Sequence, residues 1–131
     1  MSSADIIRSL YVAFGKGDMP AILNLMAPDI VWNEAENFLY ADRNPYVGPQ
    51  AILEGVFARI GADFENFATT PGEFIDGGDT VVVPMRYTGT FKATGKPINL
   101  QAAHVWQVKN GKVTSFQQYV DTLAAAVAAG R

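Results

Sequence analysis

The sequence contains no cysteine and only one histidine, His104. The absence of cysteine excludes a disulfide-bonded scaffold, a thiolate zinc site and a cysteine nucleophile. A single histidine is also too few for most metal-ligand sets, which combine histidine with cysteine or carboxylates. We therefore expect neither a metal nor a cofactor.

Basic clusters and long apolar runs are missing too. Ten lysine and arginine residues are scattered singly against thirteen acidic residues, which gives a net charge of −3 and disfavours a nucleic-acid partner. No segment is long and apolar enough to span a bilayer, and the residues after Met1 lack the basic start and apolar core of a signal peptide. We expect a cytoplasmic protein without a nucleic-acid or membrane partner.

The rest of the composition is typical of a folded domain. Hydrophobic residues make up 49% of the 131 residues and charged residues 18%, whereas a disordered chain carries more charge and fewer large apolar side chains. This length corresponds to one domain on the usual scale of roughly 100–200 residues. Residues 1–131 are therefore expected to form a single domain.

Helical periodicity dominates the first half of the chain, and strand signals dominate the second. Apolar spacing predicts helices near residues 4–16, 18–27 and 49–60, with a strand starting at residues 30–32. Residues 65 to about 121 predict antiparallel strands, in which Pro84 implies a bulge or an edge position. The alanine-rich tail, 122–131, predicts a short helix or a frayed end. The order favours an α+β fold with the helices on one face of a curved antiparallel sheet.

Three stretches resemble the SnoaL-like branch of the nuclear-transport-factor-two-like superfamily, which also contains ketosteroid isomerase. They are Gly17–Trp32, Pro45–Ile52 and the closing hairpin from His104-Val105-Trp106 through Asn110-Gly111 to Phe116–Thr122. The resemblance implies a cone-shaped roll, also called cystatin-like: a curved antiparallel sheet wraps three helices around an apolar pocket, commonly in a homodimer. It is weak for function, because this fold hosts isomerases, cyclases, hydrolases, dehydratases and binding proteins.

Glu34 is the first candidate for acid–base chemistry. It alternates with Trp32, Glu36 and Phe38, so the four share one face of an extended strand. Burial among aromatic side chains would raise the pKa of a carboxylate and suit it to proton transfer near neutral pH. By the resemblance, Glu34 also falls where ketosteroid isomerase keeps its proton-shuttling carboxylate. The alternative is a solvated glutamate near a strand end, and Glu36 is a further candidate.

His104 is the second candidate. It lies in an apolar stretch, where a lone histidine is either a satisfied core residue or an acid–base group. By the resemblance, it falls near an acid that donates to the oxyanion in ketosteroid isomerase. The other oxyanion donor of that enzyme, a tyrosine, corresponds to Leu10, with Tyr11 beside it and turned by about 100°. Because both donors differ, steroid isomerase activity is disfavoured.

Asp121 is the third candidate, because cyclases of the SnoaL type can use an aspartate at the end of the last strand as the base. A three-residue turn over 109–111 places His104 on one face with Trp106, Phe116, Gln118 and Val120. A two-residue Asn110-Gly111 turn places it with Gln117, Tyr119 and Asp121 instead, since a one-residue slip exchanges the faces. The first register is favoured because it gathers the apolar residues, and Asp121 then points away from His104 and could cap the tail.

Aromatic residues supply the predicted pocket wall. The residues predicted to contact a ligand are Trp32, Tyr46, Phe57, Tyr87, Trp106, Phe116 and Gln118. The leading hypothesis is an isomerase- or cyclase-like enzyme that transfers a proton on an apolar carbonyl compound, with Glu34 as base and His104 as donor. A variant is carboxylate-activated addition of water, as in an epoxide hydrolase or a dehydratase. The alternative is a ligand-binding or dimerisation module without turnover.

Overall fold

A computed structural model describes all 131 residues and has the expected α+β architecture, a curved, unclosed sheet with helices at the N-terminus. The helices are α1 (Ser3–Gly15), α2 (Met19–Asn24), α3 (Pro49–Ile52), α4 (Ala58–Asp63) and α5 (Thr122–Ala128), with a π-helical turn, Leu53–Phe57, joining α3 to α4. The strands are β1 (Met26–Asn33), β2 (Tyr46–Val47), β3 (Phe64–Pro71), β4 (Ile75–Gly77), β5 (Thr80–Phe91), β6 (Lys96–Lys109) and β7 (Lys112–Val120). No helix is long and apolar enough to cross a membrane.

Helix α1 begins with a reciprocal cap. The Ser2 hydroxyl accepts a hydrogen bond from the Asp5 backbone N–H, and the Asp5 carboxylate accepts one from the Ser2 backbone N–H. Its apolar stripe is buried against the sheet, including Ile7, Leu10 and Tyr11. The predicted helix near residues 4–16 therefore exists, within one residue at each end.

Helix α2 is shorter than the predicted 18–27, because the chain turns into a strand at Met26. Met26 pairs with Val113 of β7, and the Leu25 carbonyl accepts a hydrogen bond from the Val113 N–H at 2.8 Å. Backbone pairing with a distant strand thus overrides the local apolar spacing, and β1 starts four residues before the predicted position at Ile30.

The strands form one sheet in the order β2-β1-β7-β6-β5-β3, with β4 also paired to β5. Every pair is antiparallel except β1 with β7, which run parallel and place Trp32 opposite Phe116. The sheet is therefore mixed, whereas the sequence predicts antiparallel strands throughout.

Pro84 lies where the neighbour of β5 is interrupted. Strand β3 ends at Pro71, opposite Met85, and β4 begins at Ile75, opposite Val82. In the gap, the Pro84 carbonyl accepts a hydrogen bond from the Gly72 N–H at 2.8 Å. The missing N–H of proline therefore breaks no ladder on that side.

The β6–β7 hairpin has the favoured register but not the favoured turn. Lys109 pairs with Lys112 across a two-residue Asn110-Gly111 turn, both with positive φ (51° and 76°). A bulge at Thr114 then shifts the register by one residue, so that His104 pairs with Gln118. The prediction of a three-residue turn was wrong. The favoured register is nevertheless present, because the bulge supplies the one-residue shift that the longer turn was expected to supply.

Candidate functional site

An apolar cavity lies between the sheet and the helices. Its free volume is about 40 Å³, which is below the roughly 300–1,000 Å³ usual for small-molecule pockets, and it is partly open to solvent. Helix α1, the segment from α3 to α4 and five strands supply its wall. The lining residues are Leu10, Tyr11, Phe14, Trp32, Glu34, Phe38, Val56, Phe57, Ile60, Phe67, Thr69, Tyr87, His104, Trp106, Phe116 and Gln118.

Glu34 is the carboxylate of this cavity. It follows the last residue of β1, is only 2% exposed, and its Oε2 accepts a hydrogen bond from the Trp32 indole at 2.9 Å. Its other oxygen, Oε1, is buried without a hydrogen-bond partner. Burial raises the pKa of Glu34 to about 7, although the Trp32 hydrogen bond and the charge of Arg59 lower it in part. At neutral pH this group is poised between its acid and base forms.

Asn44 fixes the backbone at Glu34. Its Oδ1 accepts from the Glu34 N–H at 2.9 Å, and its amide nitrogen donates to the Glu34 carbonyl at 2.8 Å. The paired bonds continue the extended conformation one residue past β1. The side chain of Glu34 therefore keeps the orientation of Trp32, toward the cavity.

His104 also lines the cavity, and both of its ring nitrogens are engaged. Tyr11 Oη lies 2.6 Å from Nδ1, and Tyr87 Oη contacts Nε2. Burial lowers the pKa of His104 to about 3, so the ring is neutral at pH 7. Because neither ring nitrogen is free, His104 cannot donate a hydrogen bond to a ligand. The donors available beside it are the hydroxyls of Tyr11 and Tyr87.

Two further donors hold these tyrosines. The Trp106 indole donates to Tyr11 Oη at 2.9 Å, and the Gln118 amide nitrogen donates to Tyr87 Oη at 2.9 Å. Gln118 is oriented in turn by the Ala35 N–H, which donates to its Oε1 at 3.1 Å. Burial raises the pKa of both tyrosines, so they remain protonated donors at neutral pH.

Eight of the eleven residues singled out from the sequence line the cavity. They are Glu34, His104, Trp32, Phe57, Tyr87, Trp106, Phe116 and Gln118. Trp32 and Phe116 pack with ring centroids 3.8 Å apart, and the His104 and Phe116 rings are 4.7 Å apart. The parallel pairing of β1 with β7 creates the first of these contacts.

Tyr46 and Asp121 lie outside the cavity. Tyr46 packs against Gly55 behind the cavity wall, and its hydroxyl donates to the Tyr40 carbonyl at 2.6 Å. The Asp121 side chain is exposed and caps α5 by accepting from the Ala124 N–H at 3.0 Å. Its strand-end position thus serves the tail helix, as the favoured register implies.

Glu36 is exposed, so only one carboxylate faces the cavity. The alternation that links it to Glu34 fails because β1 has ended at Asn33 and the chain turns, with Asn37 at a φ of 70°. No group of three or more His, Cys, Asp or Glu side chains is arranged to hold a metal ion.

Comparison with known proteins identifies the family. The model of the SnoaL-like domain matches residues 7–116 of the chain. An NTF2-like protein from Burkholderia thailandensis is 34% identical over 98% of each chain, with a TM-score of 0.94. The chain belongs to the SnoaL-like family.

Other solved structures share the fold. TerC, crystallised with polyporic acid, is 27% identical over 98% of each chain, with a TM-score of 0.86. IdmH from Streptomyces antibioticus, a proposed polyketide cyclase, is 24% identical over the whole of both chains with a TM-score of 0.83, and at that identity it supports the fold alone. We found no match among curated proteins. The relatives of this SnoaL-like protein therefore support a small-molecule pocket without specifying a reaction.

Sequence reasoning missed Tyr11, which lines the cavity, and Asn44, which holds the backbone of Glu34. The sequence placed Tyr11 only beside Leu10, and its hydroxyl gave no signal because its partners lie on β6. Asn44 lies in an aperiodic segment, and its bonds to Glu34 depend on a loop that periodicity does not describe. The alternation of buried and exposed positions in β5 and β6 puts Tyr87 and His104 on one face and could have suggested them as neighbours.

Proposed function

We propose that this SnoaL-like protein transfers a proton on an apolar carbonyl compound, as an isomerase or cyclase does. Glu34 is the base that removes a proton next to the carbonyl group. A tyrosine hydroxyl held by His104 donates a hydrogen bond to the carbonyl oxygen and stabilises the enolate. The observation that carries the proposal is the buried Glu34 carboxylate with one unpaired oxygen, in the same apolar cavity as two tyrosine donors.

The role of Glu34 follows from its surroundings. A base that works near neutral pH is most effective when its own pKa is near 7, and burial supplies that shift here. The Trp32 bond occupies only Oε2, which leaves the lone pairs of Oε1 for a substrate proton. The same oxygen could hold a water molecule, which is the basis of the water-addition alternative.

The donor role belongs to tyrosine rather than to His104. Each ring nitrogen of His104 already contacts a tyrosine, so the histidine acts through Tyr11 and Tyr87. Donors fixed in a water-poor site stabilise developing negative charge more strongly than mobile water does. TerC crystallised with polyporic acid supports a pocket of this family that takes an organic ligand.

Exchange of α-hydrogens tests the proposal directly. The aromatic ketone 1-tetralone is incubated with the protein in D₂O, and loss of the α-proton signal is followed by NMR. We expect exchange faster than in buffer, and Glu34→Gln should lower the rate by about 10²-fold or more while the Kd stays within about threefold. Glu36→Gln, which changes an exposed carboxylate two residues away, is the matched control and should leave the rate unchanged.

The outcomes separate the alternatives. Binding of 1-tetralone without accelerated exchange would contradict proton transfer and leave a binding module. Equal exchange by the wild type and Glu34→Gln would remove Glu34 as the base. Incorporation of ¹⁸O from labelled water into an epoxide probe, lost in Glu34→Gln, would instead favour addition of water.

We also propose a homodimer through the outer face of the sheet. Val31 and Val47 are paired and exposed there, and Tyr119 is exposed on β7 beside Ala103 of β6. Exposed apolar side chains grouped on one sheet face are typical of an interface between subunits.

A further inference from the structure

Three hydrogen-bonding groups form a linear chain in the cavity: Tyr11, His104 and Tyr87. One link joins Tyr11 Oη to Nδ1 of His104 at 2.6 Å, and the other joins Nε2 to Tyr87 Oη. Each tyrosine oxygen also accepts from a group that can only donate, the Trp106 indole at one end and the Gln118 amide nitrogen at the other. The orientation of the Gln118 amide is fixed, because the Ala35 N–H occupies its oxygen.

The number of hydrogens in this chain exceeds the number of links. Burial keeps the His104 ring neutral, so it carries one N–H, and the two tyrosines carry one O–H each. These three hydrogens serve two links, and one hydrogen remains. Its position depends on the tautomer of His104, because a ring N–H that donates to one tyrosine leaves that tyrosine's own hydrogen outside the chain.

The remaining hydrogen has no acceptor in the protein. When the ring hydrogen is on Nε2, the hydrogen without an acceptor is that of the Tyr87 hydroxyl. When the ring hydrogen is on Nδ1, the hydrogen without an acceptor is that of the Tyr11 hydroxyl. Neither hydroxyl has another hydrogen-bond partner, and both side chains line the cavity. A buried donor without an acceptor is unfavourable, so a ligand that supplies one is favoured.

We propose that the Tyr11–His104–Tyr87 chain presents a single hydroxyl hydrogen to the cavity, and that the His104 tautomer determines which tyrosine presents it. The site therefore selects ligands with one uncharged oxygen acceptor, such as a ketone. His104 is a positioning residue that acts through its neighbours.

The charges of the cavity support an uncharged ligand. No lysine or arginine lines it, and Glu34 is its one carboxylate. A ligand carboxylate would meet a single hydrogen-bond donor and no cation, and it would lie in the same apolar space as Glu34. Both effects disfavour an anion.

The inference rests on the proposed function only in taking a carbonyl compound as the ligand. Its test requires no turnover. If Glu34 fails as a base and the histidine behaves as proposed, the donor arrangement stands alone. If α-hydrogen exchange occurs but the His104 tautomer does not respond to the variants as proposed, the donor arrangement is wrong.

The test uses the only histidine of the chain as a reporter. Protein labelled with ¹⁵N-histidine shows one imidazole, whose two nitrogen shifts identify the protonated nitrogen. With saturating 1-tetralone, Tyr11→Phe should fix the hydrogen on Nε2, because only Tyr87 can then accept from the ring and donate to the ligand. Tyr87→Phe should fix it on Nδ1 for the mirror reason. Tyr40→Phe, a buried tyrosine whose hydroxyl donates to Asp63 outside the cavity, should match the wild type.

Ligand signals give a second, independent readout. The ¹³C carbonyl shift of 1-tetralone should move downfield on binding to the wild type and to each single variant, and this change should disappear in Tyr11→Phe/Tyr87→Phe. In the wild type, 1-naphthoate should bind at least tenfold more weakly than 1-tetralone, a comparison that needs no variant.

Three results would overturn the proposal. The first is the same ring tautomer in both single variants with ligand bound. The second is a carbonyl shift that persists in the double variant. The third is 1-naphthoate binding as tightly as 1-tetralone.

Discussion

Glu34 and His104 share one cavity, and burial acts on their pKa values in opposite directions. Burial disfavours charge, so it raises the pKa of Glu34 to about 7 and lowers the pKa of His104 to about 3. Only Glu34 therefore changes protonation near neutral pH. Its position followed from alternation with Trp32, whereas the Tyr11 and Tyr87 contacts of His104 come from elements far apart in the sequence and gave no local signal.

The pH dependence of exchange should report Glu34 alone. Because the base must be ionised, kcat/KM for α-hydrogen exchange should rise about tenfold per pH unit below about 7 and level off above it. His104 titrates too low to add a second limb in this range. A profile that levels off near pH 4.5, the ordinary value for glutamate, would contradict the assignment.

The same shift couples Glu34 to stability. Its folded-state pKa is raised, so its contribution is fully present below the unfolded value of about 4.5 and is lost as pH rises to about 7. Relative to Glu34→Gln, the wild type should lose about 3 kcal/mol of unfolding free energy between those pH values, measured by urea denaturation. His104 is common to both proteins and cancels in the difference. A flat Glu34→Gln difference would argue against burial as the cause.

At the scale of helices and strands, apolar spacing and turn residues predicted the features that depend on neighbouring residues in the sequence. The apolar spacing of α1 predicted its bounds within one residue, and Asn110-Gly111 predicted where the hairpin turns, although not the length of the turn. The early end of α2 and the Thr114 bulge were not predictable, because both depend on pairing with another strand. The cavity residues on the strands could be predicted from the alternation of apolar residues. The hydrogen bonds of Asn44 to the Glu34 backbone could not, because Asn44 lies in a loop without periodicity.

Gly55, in the π-helical turn between α3 and α4, leaves room for the Tyr46 ring. A Cβ at Gly55 would lie 2.3 Å from Cε1 of the Tyr46 ring, so Gly55→Ala should cost roughly 1–3 kcal/mol of unfolding free energy through overpacking. Gly61→Ala in α4 is the matched control, because its Cβ would meet no atom within 4 Å. That control should be neutral or stabilising, since alanine favours helix. Equal effects in urea denaturation would show that Tyr46 is free to move aside.

At the scale of the whole molecule, the proposed dimer is tested by two equally exposed apolar residues. Tyr119 on the outer sheet face and Val12 on α1 are each 57% exposed. Sedimentation at micromolar concentration should give twice the mass of the chain, since a stable pair buries roughly 1,200–2,000 Å². Tyr119→Glu should weaken association at least tenfold, whereas Val12→Glu should not. A wild-type monomer would contradict the proposal.

During synthesis on the ribosome, β1 emerges long before its parallel partner β7. Until then the edge of β1 that will pair with Phe116 and Gln117 stays open, and the Trp32 ring lacks its partner. Contacts between such distant segments form slowly, and open strand edges invite pairing with other chains. The cavity, whose wall includes residues from α1 to β7, can therefore close only after β7 has left the ribosome, and a nascent chain halted before β7 would lack it.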